Sequence, residues 1–150
     1  MGLCCVWPSA LLLSLLVLTA TQGHETGTLG DAVTLKCSYD TKINGLLDIC
    51  WGRGTCPISR CNNLIIKTVR LKVTSSRLDK YQLLGDIANG DVSLTINDLD
   101  EEDKGIYCCR VAFSGLFNDQ KTNIDLRVED IADCPEDSDE ATTAEVQGNM

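Results

Sequence analysis

Nine cysteines in 150 residues constrain this chain more than any other feature of it. Cysteine at that density in a short chain points to a disulfide scaffold built outside the reducing cytosol. The N-terminus agrees. Ala10 to Leu18 is an apolar run of nine residues, and small or polar residues follow from Thr19 to Gly23. That is the pattern of a secretory signal peptide, residues 1–23, cleaved near Gly23. The run is too short to cross a bilayer. Met1-Gly2 opens like a myristoylation signal, but Val6 stands where that signal needs Ser or Thr. Cleavage removes Cys4 and Cys5 and leaves seven cysteines, an odd number. The chain is expected to be secreted as written, or to form the front of a longer single-pass surface protein.

The net charge of −9 is unevenly placed. Residues 129–145 hold eight acidic side chains and no Lys or Arg, whereas residues 24–128 hold 14 acidic and 13 basic ones. The body is therefore nearly neutral, and residues 130–150 are expected to form an acidic, disordered tail. No basic footprint for nucleic acid exists. The single histidine, His24, leaves no nucleophile–base set, so an enzyme is not expected.

Between these ends the chain alternates with a period of two. Val33, Leu35, Cys37 and Tyr39 interleave with Thr34, Lys36 and Ser38, which predicts a strand with one buried face. Ile49-Cys50-Trp51, Val69 to Val73, Tyr81 to Leu84, Val92 to Ile96, Tyr107 to Phe113 and Asn123 to Val128 read as further strands. Turn signals recur between them. Cys37, Trp51 and Cys109 have the order and spacing of the strand B cysteine, strand C tryptophan and strand F cysteine of an immunoglobulin domain. Tyr107 stands two residues before Cys109, where a tyrosine corner belongs, and Lys80 is expected to pair with Asp103. The predicted fold class is all-β: a variable-type immunoglobulin sandwich over residues 24–129.

Strand parity then constrains the remaining cysteines. If Trp51 and Cys109 point inward, Cys50 and Cys108 point outward on one face of the same sheet. Cys56 and Cys61 follow strand C, in the C–C′ loop. Six cysteines allow 15 pairings; the geometry favours Cys37–Cys109, Cys50–Cys61 and Cys56–Cys108. The rival is a zinc site of Cys50, Cys56, Cys61 and Cys108, which an oxidising compartment disfavours. Such bridges pin the C–C′ loop against the sheet, towards the F–G loop, and create a preorganised pocket between them.

The segments Cys50 to Cys61, Tyr81 to Gly85, Asp91 to Ile96 and Gly105 to Val111 resemble the variable-type domain of the T-cell immunoglobulin and mucin domain family, over roughly residues 24–128. The Cys-Pro-x-Ser-basic-Cys loop is most similar to that of its phosphatidylserine receptors. The family adds a mucin stalk, for which the tail offers only Ser138, Thr142 and Thr143 as hydroxyl residues.

The F–G loop, Ser114 to Gln120, carries the functional expectation. Asn118 and Asp119 supply a neutral and an anionic oxygen, suited to a hard cation. Leu116 and Phe117 are large apolar residues at a loop tip. The family's loop reads Trp-Phe-Asn-Asp. The resemblance implies that Asn118 and Asp119 hold a calcium ion that also binds lipid phosphate, and that Leu116 and Phe117 enter the bilayer. It also implies that Ser59 and Arg60 contact the head group. Leu116 stands where the family has Trp, and leucine lacks the amphipathic ring that favours the interface. By itself Asn-Asp is ordinary turn chemistry, and Arg53 and Arg60 read as solvated loop charges. The expected function is calcium-dependent binding of phosphatidylserine, as in recognition of apoptotic cells or immune regulation. The alternative is a metal-independent adhesion or co-receptor domain that binds other cell-surface immunoglobulin-family proteins through the G, F and C strands.

Overall fold

The computed structural model describes residues 22–115 and 118–133. Residues 1–21 of the expected 1–23 leader, the loop tip Leu116-Phe117 and residues 134–150 of the expected 130–150 tail lie outside the described residues. Among the described residues, nine strands run in order: β1 (Gln22–Thr28), β2 (Val33–Leu35), β3 (Asp48–Arg53), β4 (Leu64–Val69), β5 (Lys72–Ser76), β6 (Tyr81–Gln82), β7 (Leu94–Ile96), β8 (Gly105–Ala112) and β9 (Gln120–Glu129). They form a six-stranded sheet, β1-β9-β8-β3-β4-β5, facing a three-stranded sheet, β2-β7-β6.

The inward faces close on Trp51, which is fully buried and donates its indole N–H to the Val92 carbonyl at 2.8 Å. Cys37, just past β2, is bonded to Cys109 on β8 and joins the two sheets. Val33, Leu35, Cys37 and Tyr39 are all buried, as their alternation requires. The ladder of β2 nevertheless stops at Leu35. Beyond it the Ser93 hydroxyl accepts from the Cys37 N–H at 3.2 Å.

Two strands escape a periodic reading. β1 is glycine- and polar-rich, and it is held by parallel pairing with β9 from Gln22↔Asn123 to Thr28↔Glu129. β4 carries the adjacent buried pair Ile65-Ile66. The expected strand from Val69 to Val73 is a hairpin instead. Val69 closes β4, Lys72 opens β5, and Arg70 turns the chain with φ 54°. The Asp48 carboxylate accepts from the Arg70 N–H at 3.1 Å and stabilises that turn, which no Gly or Asn announces.

At the opposite end, Tyr107 Oη donates to the Asp103 carbonyl at 2.7 Å, which is the tyrosine corner. Lys80 Nζ lies 2.6 Å from Asp103 Oδ2 and 3.2 Å from Asp100 Oδ2. Arg53 is not the solvated charge expected. Its guanidinium donates to the carbonyls of Asp103, Glu102 and Lys104 and to the Tyr107 hydroxyl, and it packs 4.7 Å from the Tyr107 ring centroid. β3 is in register with β8 at Arg53↔Tyr107, and this lays the side chain over the corner.

Candidate ligand-binding cleft

The outward face of β3 and β8 is the floor of the site. Gly52 is opposite Cys108, and Cys50 is opposite Arg110. The loop from Gly54 to Asn63 folds back over this floor and is fastened by two bridges, Cys50–Cys61 and Cys56–Cys108. All three pairings agree with strand parity. Gly52 makes the fold-back possible, because a Cβ there would overlap the Asn62 carbonyl oxygen. From β9, the Asn123 side-chain oxygen accepts the Cys56 N–H at 2.8 Å.

Arg110 is the residue that a motif reading passes over. Its side chain is only 2% exposed. Nη1 donates to the Arg60 carbonyl at 2.6 Å, and Nη2 donates to Pro57 and Ile58 at 2.6 and 2.8 Å. Nε is buried without a hydrogen-bond partner, 3.6 Å from Asp119 Oδ2. A single guanidinium thus touches both loops. Parity contained the signal: Arg110 is two residues from Cys108, so both side chains leave β8 on the face that the pinned loop covers.

The F–G loop forms the second wall. Asp119 Oδ1 accepts the Phe113 N–H at 3.1 Å, and the Asn118 amide nitrogen donates to the Ser114 carbonyl at 2.6 Å. Gly115, at φ 114°, turns the chain close to the Asn118 side chain. Between the walls lies a cleft of about 510 Å³, lined by Asp48, Arg60, Lys67, Arg110 and Asp119 among others. Arg60 therefore lines the cleft, whereas Ser59 is exposed on the same loop and is not part of the lining. Asn118 precedes Asp119 in the chain, is exposed, and is not part of the lining either. Leu116 and Phe117 fall outside the described residues.

A two-layer antiparallel sandwich with this core bridge, tryptophan and tyrosine corner is an immunoglobulin variable-type domain. The family model described as "Immunoglobulin V-set domain" matches residues 21–129. The chain is 49% identical over 102 residues to the mouse protein "Hepatitis A virus cellular receptor 1 homolog", covering 68% of this chain and 33% of that protein. It is 44% identical over 104 residues to human "T-cell immunoglobulin and mucin domain-containing protein 4", covering 69% and 28%. Among solved structures, "Tim-1" matches with TM-score 0.71 at 45% identity, covering 74% of this chain and 95% of that one. "Tim-4 in complex with phosphatidylserine" matches with TM-score 0.68 at 40% identity, covering 71% and 98%. This chain belongs to the T-cell immunoglobulin and mucin domain family. It spans about a third of the length of those curated relatives, and the part it shares with them is the immunoglobulin V-set domain.

Proposed function

We propose that this domain binds phosphatidylserine on membrane surfaces, with calcium as the bridging ion. The single observation that carries this reading is the cleft, in which Asp119 faces a bridge-pinned loop with Asn118 beside it. A relative of 40% identity has been solved with that lipid. The lining holds three cationic side chains, Arg60, Lys67 and Arg110, against two carboxylates, Asp48 and Asp119, a balance that suits an anionic head group.

The donors fit calcium only as a shared ion. Calcium takes about six to eight oxygens, and no group of three or more His, Cys, Asp or Glu side chains is placed to hold a metal ion among the described residues. The carboxylate of Asp119 and the amide oxygen of Asn118 would supply part of the shell, and the rest would have to come from backbone carbonyls, water and the ligand's own oxygens. Calcium held there would supply a doubly positive centre for phosphate oxygens.

Leu116 and Phe117 would enter the hydrocarbon, each contributing about 1.5–3 kcal/mol if fully transferred. At the same end of the sandwich, Ile43 and Leu71 are exposed beside Lys42, Arg70 and Lys72, a composition that favours an anionic surface. Ser59 and Arg60 would flank the head group. One domain binds weakly, and clustering on an extracellular surface supplies avidity.

Asp119→Ala tests the site. It should abolish calcium-dependent sedimentation with phosphatidylserine vesicles while leaving the circular dichroism spectrum unchanged, and Asn118→Ala should act in the same direction. Parental binding by either variant contradicts the assignment. A second reading, metal-independent binding of another cell-surface immunoglobulin-family protein, is favoured by the exposed Val69, Leu71 and Val73 of the β4–β5 hairpin.

A further inference from the structure

We infer that Arg110 couples the two halves of the ligand: its buried charge opposes a cation on Asp119 until an anionic head group is also present. This rests on the metal-and-lipid reading above and adds a regulatory property to it.

The electrostatics of Arg110 are unusual for a cleft residue. Three of its N–H contacts go to neutral carbonyls, of Arg60, Pro57 and Ile58. The remaining polar atom, Nε, has no hydrogen bond and faces the Asp119 carboxylate at 3.6 Å. Asp119 is therefore the counter-charge of a guanidinium that is 2% exposed, and it is itself 26% exposed, open to the cleft. A buried charge depends strongly on its counter-ion, because little water remains to replace it. Arg60 and Lys67 also line the cleft but are exposed, so water and salt screen them.

Asp119 cannot serve two cations equally. A divalent ion at its carboxylate draws on the same negative charge that compensates Arg110, and the two positive centres repel in a medium of reduced dielectric. An anionic group entering the cleft restores the balance for both. Asp119 then shares a positive cluster with the ligand's phosphate instead of compensating Arg110 alone. Linkage makes the effect reciprocal: the head group raises cation affinity by the factor by which the cation raises head-group affinity. The domain would thus ignore calcium alone and respond to calcium together with an anionic lipid.

The test is calorimetric titration of calcium into the domain, with and without saturating glycerophosphoserine. In the parent, the head group should raise calcium affinity by about tenfold or more. Arg110→Met should bind calcium alone more tightly than the parent and show a smaller enhancement, the part that remains being direct ligation of the ion by the phosphate. Arg110→Lys keeps the charge and should keep the enhancement. Peptide mapping of Cys50–Cys61 and Cys56–Cys108 checks that the cleft walls survive in each variant. A measurement on the parent alone does not depend on variant folding. Coupling through buried Arg110 should persist as salt rises from about 0.05 to 0.5 M, whereas coupling through exposed Arg60 and Lys67 should collapse. Enhancement that is unchanged in Arg110→Met, or that vanishes with salt in the parent, overturns the inference and leaves the site itself standing. A parent that binds no calcium under either condition overturns the site as well.

Discussion

Cys56 and Cys108 are 52 residues apart in sequence, and their Cα atoms are 5.0 Å apart. The bond fixes the middle of the C–C′ loop to the outer face of the sheet, opposite the core side of β8. The cleft therefore depends on a bridge that the hydrophobic core does not need.

Replacing Cys56 and Cys108 together by alanine should weaken vesicle binding more than it lowers the melting temperature. Replacing Cys37 and Cys109 should cost about 2–5 kcal/mol of stability and can prevent folding altogether. Thermal melts and vesicle affinity on both double variants separate the two roles. An equal loss of binding and stability in the first variant contradicts this division.

Much of this architecture was legible because neighbouring cysteines and tryptophan report opposite faces. Cys50 beside Trp51, and Cys108 beside Cys109, declare which side chains look inward and which outward; that isolates the core bridge, and the position of Cys56 and Cys61 in the loop after strand C favours the two outer ones. Elsewhere the signal was weak. β1 has little apolar content and is held by backbone pairing. The hairpin at Arg70 keeps the apolar–basic alternation running through its turn, so Val69 to Val73 looked like one strand. Arg53 read as a solvated charge and Arg110 carried no reading, yet each is fastened to a set of backbone carbonyls that only the folded chain brings together. Gly52 carried no signal of its own, and its lack of a side chain is what lets the loop approach the sheet.

If the F–G tip enters the bilayer, Leu116→Asp should weaken binding strongly. It loses apolar burial and sets a negative charge against an anionic surface. Leu116→Trp should strengthen binding, since an indole favours the interface. Affinity for vesicles at fixed calcium and salt is the measurement, and no change in either variant contradicts insertion.

Stability should be flat across neutral pH and fall at both extremes. The hydrogen bond from Lys80 holds the Asp100 carboxyl below its ordinary value of 3.8, and the Ser93 hydroxyl does the same for Asp91. Depressed carboxylates contribute stability above their ordinary value and lose it as pH falls through the native one. Partial burial lowers Lys80, but its hydrogen bonds and charge interactions with Asp103 and Asp100 outweigh this and hold it above 10.5. That contribution is complete below 10.5 and disappears as pH rises through the native value. Melting temperatures should therefore hold from about pH 4 to about pH 10.5 and drop beyond. Lys80→Met should lower stability by about 1–3 kcal/mol at neutral pH, because it leaves buried Asp103 without its charged partner and with the Asp100 N–H as its remaining donor. A melting temperature that varied across the neutral range, or that did not respond to Lys80→Met, contradicts this account.

The most direct measurement is co-sedimentation of the parent domain with vesicles of phosphatidylserine or phosphatidylcholine, each in calcium and in excess chelator. The predicted result is sedimentation only with phosphatidylserine in calcium, and release into the supernatant when chelator is added. Sedimentation with phosphatidylserine that is equal in calcium and in chelator would contradict a cation shared between Asp119 and the lipid.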